Sequence, residues 1–503
     1  MGLWGILRFW GGKRISTEYG TAFGSWLMNL HAATKNSDLA AHFFRRTGGL
    51  LGRHGTLGLI STNTLSQGDT RRDGLAALLR AGFRIFDVEL DRPWPGDAAV
   101  TVHVVWLAIG NPSGGLQPEF NGVPVQVINS RLRPKPERDD PISLRANAGS
   151  SFNGVFTRGS GFVLENEEAQ TWYSKLNTEE RGRVHPYLGG DEVNTSPTGA
   201  PDRVVVDVSD LEEPRLDDFP NLKELVEERV KPYRLSLGNS PDDREHKKFW
   251  WCFARSRPEL RAAISRLSRC LVTARVSKHL MLSFQPVDRV FSEQLYVFPL
   301  ESGSSFAVLQ SRVHESWARF LSSTFGTGLR YAASDCFDSF PFPEPDPSTV
   351  IPDVEVIGEN LYQARVTHMC NTNQGLTTVY NALKDPNCTD SRILELRALH
   401  EEMDRAVLRA YPKLLGVGSD DPSVVGWSDI LVPPFCIASE EDKAALQAFE
   451  DEVIDRLFVL NSLRAKEEQA GASPKNGKGT KKTKPKNTKK RKETDGNDQG
   501  ALF

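Results

Sequence analysis

Metal and disulfide chemistry have little to build on in this chain. Its six cysteines, Cys252, Cys270, Cys336, Cys370, Cys388 and Cys436, stand far apart with no C-x-x-C among them. That spacing supports neither a zinc site nor a disulfide framework, and it predicts buried free thiols in a reducing compartment. No apolar run of about 18 residues is present to span a bilayer. The first residues also lack the apolar core and small-residue cleavage site of a signal peptide. A soluble, cytoplasmic protein is the expectation. Ahead of Ser37 there is no G-x-G turn opening a helix with an acid behind it, the pattern that cradles a nucleotide. A nuclease signature is missing as well. Pro241-Asp242 with Glu245-x-Lys247 has the right letters, but a two-residue gap leaves no room for the turn that would bring all of them to one metal. A solvated, charged helix start before Phe249-Trp250-Trp251 is expected there instead.

Net charge is nearly absent too, at −3, yet it hides an asymmetry. Lys475 to Lys492 holds nine lysines and one arginine with no acid, which leaves −13 on the rest of the chain. Contact with nucleic acid must then come from a local patch or from this run. From Ala472 to Phe503 the sequence is Lys-rich and poor in apolar residues, a composition that buries no core, so a disordered tail at 472–503 is expected.

What is present is organised around Ser37 to Ala108. Asp38 is placed to cap a helix carrying Leu39, Phe43, Thr47 and Leu50 at three- and four-residue spacing, and Gly52 to Gly55 follow as a turn. A strand near Leu57 to Ser61 and a helix with Leu75, Leu78 and Leu79 ending at Gly82 come next. Phe83 to Leu90 and Ala99 to Ala108 are β-rich with no helix between them, so they are expected to pair antiparallel. Helices alternating with apolar strands predict an α/β sheet covered on both faces. From Gly110 to Gly149 the Pro- and Gly-rich texture predicts a linker or crossing segment. Short apolar runs to Pro347 predict a mixed α+β unit. Beyond it, Asp390 should cap a helix to Tyr411 with Ile393, Leu396, Leu399, Met403, Val407 and Ala410 on one face. Ser439-x-x-Asp442 should open another, with Leu446, Phe449, Val453, Leu457, Leu460 and Leu463.

The wording of these segments resembles one family. GGKRIS, GLISTNTLSQGDTR, RPWPGDAAV and VVWL, then HPYLGGDEVN, ERVKPYR, FWWCFARSRPELRAAI, ARVSKH, VLQSRVHESWA and CFDSFPFPEP, then QGLTTVYNALKDP and LRALHEEMDRAVLRAY, occur in order. They are similar to the MmeI-like type II restriction-modification enzymes and related phage-defence adenine-specific DNA methyltransferases, over roughly Gly11 to Gly471. The resemblance implies the C-terminal half of a class I methyltransferase Rossmann-like sheet at 1–125, an α+β target-recognition domain at 126–347 and an α-helical C-terminal domain at 348–471. It implies double-stranded DNA as partner, association with the nucleoid, and S-adenosyl-L-methionine as the family's cofactor, with the half of the domain that binds it missing here.

Site residues carry over as follows. Phe9 and Trp94 would face an extruded base, a stack worth about 1–3 kcal/mol; for Trp94 the competing reading is a tryptophan that buries a surface loop. Lys13 and Arg14 would contact phosphate. Arg255, Arg257, Arg275, Lys278 and His279 would read DNA, since Arg pairs bidentately with guanine and Lys contacts guanine or phosphate. For any one of these, a surface salt bridge is the bland alternative. Two readings compete for the lysine run, a phosphate-contacting arm and a solubilising tail. Gln499, Leu502 and Phe503 resemble the Q-x-x-L-F peptides that dock on the bacterial sliding clamp. The departure from the family is at the catalytic motif. Where it places G-N-P-P-F, this chain reads Gly5-Ile6-Leu7-Arg8-Phe9-Trp10-Gly11-Gly12, and only Phe9 matches. Three functions stay open: a truncated or split adenine-N6 methyltransferase completed by an upstream half in trans, a DNA-binding specificity protein without catalysis, and a decayed defence gene.

Overall fold

The computed structural model describes residues 2–6, 10–52, 55–94, 101–110, 117–325, 328–412, 414–415 and 424–471. Its N-terminal unit is built on a six-stranded sheet. Strand β1 (Gly2–Ile6) leads to helices α1 (Gly12–Tyr19), α2 (Thr21–His31) and α3 (Leu39–Gly48), then β2 (Thr56–Ser61), α4 (Gly68–Asp73), α5 (Leu75–Arg80), β3 (Phe83–Pro93) and β4 (Thr101–Ile109). The short strands β5 (Glu119–Phe120) and β6 (Val123–Pro124) complete it, in the spatial order β1-β2-β4-β3-β5-β6. β1 runs parallel to β2, β2 antiparallel to β4, and β3 antiparallel to β4 with two bulges, as the missing helix between β3 and β4 requires.

Asp38 caps α3 through the backbone N–H of Ala40, but of the expected stripe only Leu39 is buried. Ala40, Ala41, Phe44 and Gly48 are buried, whereas Phe43 and Leu50 are 43% and 59% exposed. Small residues let α3 lie close against the sheet, and a spacing rule that weights only large apolar side chains picks the wrong stripe.

The stretch expected to be a linker contributes structure of its own. Asn121 and Gly122, both at positive φ (50° and 78°), make the turn of the β5–β6 hairpin, a conformation that suits the Asn-Gly pair. Ile128 and Leu132 then enter the core formed by Phe44, Leu57, Leu59, Leu75, Val88, Val105 and Leu107. Past it the chain is pinned to the long helix Glu440–Gly471, with Arg133 and Lys135 on Asp451 and with Lys135 and Arg138 on Asp455. The Asn461 side chain bonds both the N–H and the C=O of Ile142.

The middle of the chain holds two four-stranded sheets. One orders Val290–Phe291, Val184–Leu188, Arg203–Val206 and Val163–Glu165; the other orders Leu282–Pro286, Arg269–Ala274, Leu295–Phe298 and Phe152–Asn153. The second sheet shares one continuous core with the C-terminal helices, running from Leu188 through Trp317 and Phe340 to Met403 and Leu460. Helix Pro352–Thr372 lies so close to helix Gly303–Gln310 that a Cβ on Gly358 would stand 2.1 Å from the Gly303 carbonyl. Asp390 caps its helix, Ser439 and Asp442 exchange backbone bonds as a capping box, and both apolar stripes are buried or packed against the core. The run Pro241–Lys248 is a helix capped by Ser240, with Asp242 and Asp243 paired to Arg158, so its two aspartates are engaged in ion pairs.

The cysteines are free, but not all are buried: Cys370 is exposed and Cys252 and Cys388 are half-buried. Cys370 falls off the stripe Val354, Leu361, Met369 that turns its helix to the core. No helix of the described residues is long and apolar enough to cross a membrane.

Several histidines are held neutral by the fold. Burial lowers the pKa of His42 to about 4 and of His314 to about 3, against an ordinary value of 6.5. The unfolded chain therefore takes up protons first as pH falls below 6.5, and stability falls with it. Each of these two should cost about 2 kcal/mol at pH 5. Urea unfolding at pH 7 and pH 5 measures the difference, and equal midpoints would contradict the neutral, buried assignment.

Candidate nucleic-acid interface

The candidate interface is an open cleft of about 570 Å³ lined by Gly190, Asp191, Asn194, Ala274, Arg275, Val276, Glu293, Gln294 and Arg330. Three pieces of backbone meet there. Strand Val184–Leu188 ends at Gly189, and a short helix, Gly190–Thr195, turns away. Glu192 closes that turn by accepting from the Gly189 N–H at 3.1 Å, and it pairs with Arg203. The loop before Leu295–Phe298 supplies Gln294, whose side-chain oxygen accepts from the Gly190 N–H at 3.0 Å. The third piece begins at Arg275. Its N–H donates to the Gln294 carbonyl at 2.8 Å, and its guanidinium donates to the Glu293 carbonyl at 3.1 Å.

Just beyond, Val276 pairs with Arg330 across two short antiparallel strands, which sets both arginines at the same opening. Arg330 is exposed, and neither Arg275 nor Arg330 forms an ion pair with a carboxylate among the described residues. The Asn194 side-chain oxygen is buried without a hydrogen-bond partner. Two guanidinium groups with hydrogen-bonding capacity to spare, beside two side-chain amides, can donate to and accept from base edges or phosphate.

The expected DNA contacts divide between this cleft and other places. Arg257, at left-handed φ 53°, donates to the Gly154 carbonyl at 3.4 Å, stands 3.8 Å from Glu259 and does not line the cleft. Arg255 is half-exposed, bonded to the Ala254 carbonyl and 3.9 Å from Asp242. Lys278 and His279 point elsewhere. Both engage the Asn381 side-chain oxygen, at 2.8 and 3.1 Å, in the joint with helix Leu376–Leu383. His279 is buried, and that burial lowers its pKa.

In the N-terminal unit, Arg14 is exposed on α1, 3.6 Å from Glu18 and over the Trp10 ring at 5.3 Å. Lys13 shares that helix, and its side chain lies outside the described residues. Trp94 follows β3 directly and is half-buried. Phe9, the lysine run and Gln499, Leu502 and Phe503 lie outside the described residues. Asn194, Gln294 and Arg330 complete the cleft and were not singled out by sequence. Asn194 lies within HPYLGGDEVN, so that phrase was the available signal. Nothing local marks Gln294 or Arg330, which reach the site through strand pairing. Among the described residues no group of three or more His, Cys, Asp or Glu could hold a metal ion.

The residues of this cleft lie within a stretch that is similar to known proteins. Residues 139–344 match the MmeI target recognition domain. A stretch of 124 residues is 27% identical to DNA methyltransferase A of Bacillus subtilis (strain 168), covering 25% of this chain and 13% of that protein. The structure of the Type IIL restriction-modification enzyme MmeI in complex with DNA superposes with a TM-score of 0.63 at 17% identity, over 92% of this chain and 57% of that one. The chain thus spans little more than half of the MmeI chain and a small part of the Bacillus protein. Residues 139–344 are thus similar to the MmeI target recognition domain, and the chain that carries them has an MmeI-like fold.

Proposed function

We propose that this chain recognises a specific DNA sequence for an adenine-N6 methyltransferase of the restriction-modification kind, with its α/β unit as part of the methyltransferase sheet. The observation that carries the reading is the cleft in which Arg275 and Arg330 stand, without carboxylate partners among the described residues, beside Asn194 and Gln294. Arginine is suited to guanine and Asn or Gln to adenine in the major groove. The N-terminal sheet supports the second half of the reading: a parallel pair, β1–β2, joined to an antiparallel pair, β4–β3, with helices between.

S-adenosyl-L-methionine does not fit the described residues of this unit. No strand there is followed by a G-x-G turn into a helix; the pocket bounded by Gly12, Ser16, Thr34, Ser37 and His42 has room for only about 20 Å³, and the cleft of about 600 Å³ beside Asp69, Arg71 and Arg72 is walled by charged side chains with no such turn. No chemical step is therefore assigned to the donor here. At the end of β1, Ile6 stands where the resembled motif has a polar residue, and an isoleucine side chain has no atom to accept a hydrogen bond from an adenine amine. This favours recognition without catalysis as the role of the chain by itself.

The test incubates purified chain with duplex DNA and labelled methyl donor, and measures retention and incorporation separately. Retention of DNA with no incorporation is expected. Incorporation by the chain alone would overturn the assignment of its role, and failure to retain DNA would overturn the recognition reading.

A further inference from the structure

Of the side chains that line the cleft, Val276 alone is a large apolar group left open to solvent, at 46%. The others are charged or amide side chains, a glycine and the buried Ala274. Val276 belongs to a three-stranded sheet in which Val276–Ser277, Gly328–Arg330 and Ser323–Phe325 lie side by side in that order. Val276 is paired with Arg330, and Ser277 with Leu329. The Arg275 carbonyl accepts from the Tyr331 N–H at 2.9 Å, which extends the ladder and holds the register. Leu329 is 3% exposed and belongs to the core, so strand alternation turns the neighbouring pair, Val276 and Arg330, to the opposite, open face. Directly opposed Cβ atoms of an antiparallel pair stand about 4.5–5.5 Å apart. The cleft therefore presents an isopropyl group and a guanidinium together.

A single exposed valine on a protein surface is ordinary. This one stands among groups that all hydrogen-bond, in a cleft shaped to hold something, and it has contact area but no donor or acceptor to offer. In the major groove the apolar group on a base edge is the 5-methyl of a pyrimidine. Successive bases lie about 3.4 Å apart along the duplex. One cross-strand pair thus reaches a single base pair or two adjacent ones.

We propose that Val276 reads a pyrimidine 5-methyl group, of thymine or of 5-methylcytosine, on the base pair that Arg330 contacts or on the one next to it. The proposal rests on the reading of the cleft as a DNA-recognition site and names a chemical group that the site selects. Losing one buried methyl from such a contact lowers affinity about fourfold.

The experiment uses the full chain and two random-sequence duplex libraries, one with the ordinary four bases and one with 5-methylcytosine in place of cytosine. The duplex enriched from each is remade with its pyrimidine 5-methyl groups removed one at a time, as uracil for thymine or cytosine for 5-methylcytosine. Affinities are measured for the wild type and for Val276→Ala, whose folding circular dichroism checks. The expected result is one position at which removing the methyl weakens the wild type about fourfold, while the variant binds both forms alike. Loss at a thymine assigns the methyl to thymine, and loss at a cytosine position of the modified library assigns it to 5-methylcytosine. Wild-type affinity indifferent to every methyl would overturn the proposal. So would a variant as methyl-sensitive as the wild type, or one weakened where the wild type shows no methyl dependence, since Val276 would then pack on sugar. An enriched consensus without methyl dependence sinks this inference and leaves sequence recognition standing, whereas no consensus from either library sinks both.

Discussion

Replacing Arg275 and Arg330 together by alanine should lower affinity for the DNA sequence this chain prefers by at least about thirtyfold. Each well-placed arginine contact to a base edge is worth about 1–3 kcal/mol, and every 1.4 kcal/mol is tenfold in affinity. Neither guanidinium is tied to a carboxylate among the described residues, so truncation leaves no buried charge behind and costs one bond, from Arg275 to the Glu293 carbonyl, worth about 0.5–1.5 kcal/mol, so the double variant should still fold. Affinity for unrelated DNA should fall much less, because that component comes from phosphate neutralisation. Lys278→Ala makes the control. Its ammonium is already bonded to Asn381, and an exposed substitution of this kind is worth about 0.5 kcal/mol or less. Equal losses for cognate and unrelated DNA in the double variant would turn the two arginines into phosphate contacts.

The second large effect concerns stability. Asp404 is fully buried in helix Ser391–Ala410, where it takes a bond from the Arg312 backbone N–H at 2.8 Å and one from the guanidinium at 2.6 Å. Arg312 spends its other donors on the carbonyls of Pro433 and Pro434. Burial raises the Asp404 pKa, and the guanidinium works against that. Asp404→Ala strands a buried arginine and should cost about 3–5 kcal/mol. Asp404→Leu combined with Arg312→Met removes both charges and should recover most of that, less the cost of the two proline carbonyls left without donors, about 1–3 kcal/mol each. Urea unfolding of the single and double variants measures both. A single variant within 1 kcal/mol of wild type would mean that the pair does not hold the helices to helix Arg312–Leu321.

Local signals were read well from the sequence wherever a cap or a period decides the structure. Asp38, Asp390 and the Ser439–Asp442 box sit where their helices start, and β3 pairs with β4 as connectivity demands. What escaped was set by tertiary contact. The buried side of α3 is chosen by the small residues Ala40, Ala41 and Gly48, whose packing value depends on the neighbour they approach. The linker gained a hairpin because β3 offers a free edge beside it.

The site shows the same division. ARVSKH was legible as a basic cluster, but its residues go to two places: Arg275 opens into the cleft, while Lys278 and His279 turn to Asn381, more than a hundred residues away in sequence. Arg330 arrives only through its pairing with Val276. No local pattern in one sequence marks such a partner.

The most direct test of sequence recognition by this chain is selection from a random duplex library at about 150 mM salt, where screening leaves phosphate attraction reduced. Purified chain is bound, washed and the retained DNA sequenced over successive rounds. Enrichment of one short consensus, lost when Arg275 and Arg330 are both alanine, is the predicted result. Retained DNA with the composition of the starting library, bound with an affinity that follows salt alone, would contradict it.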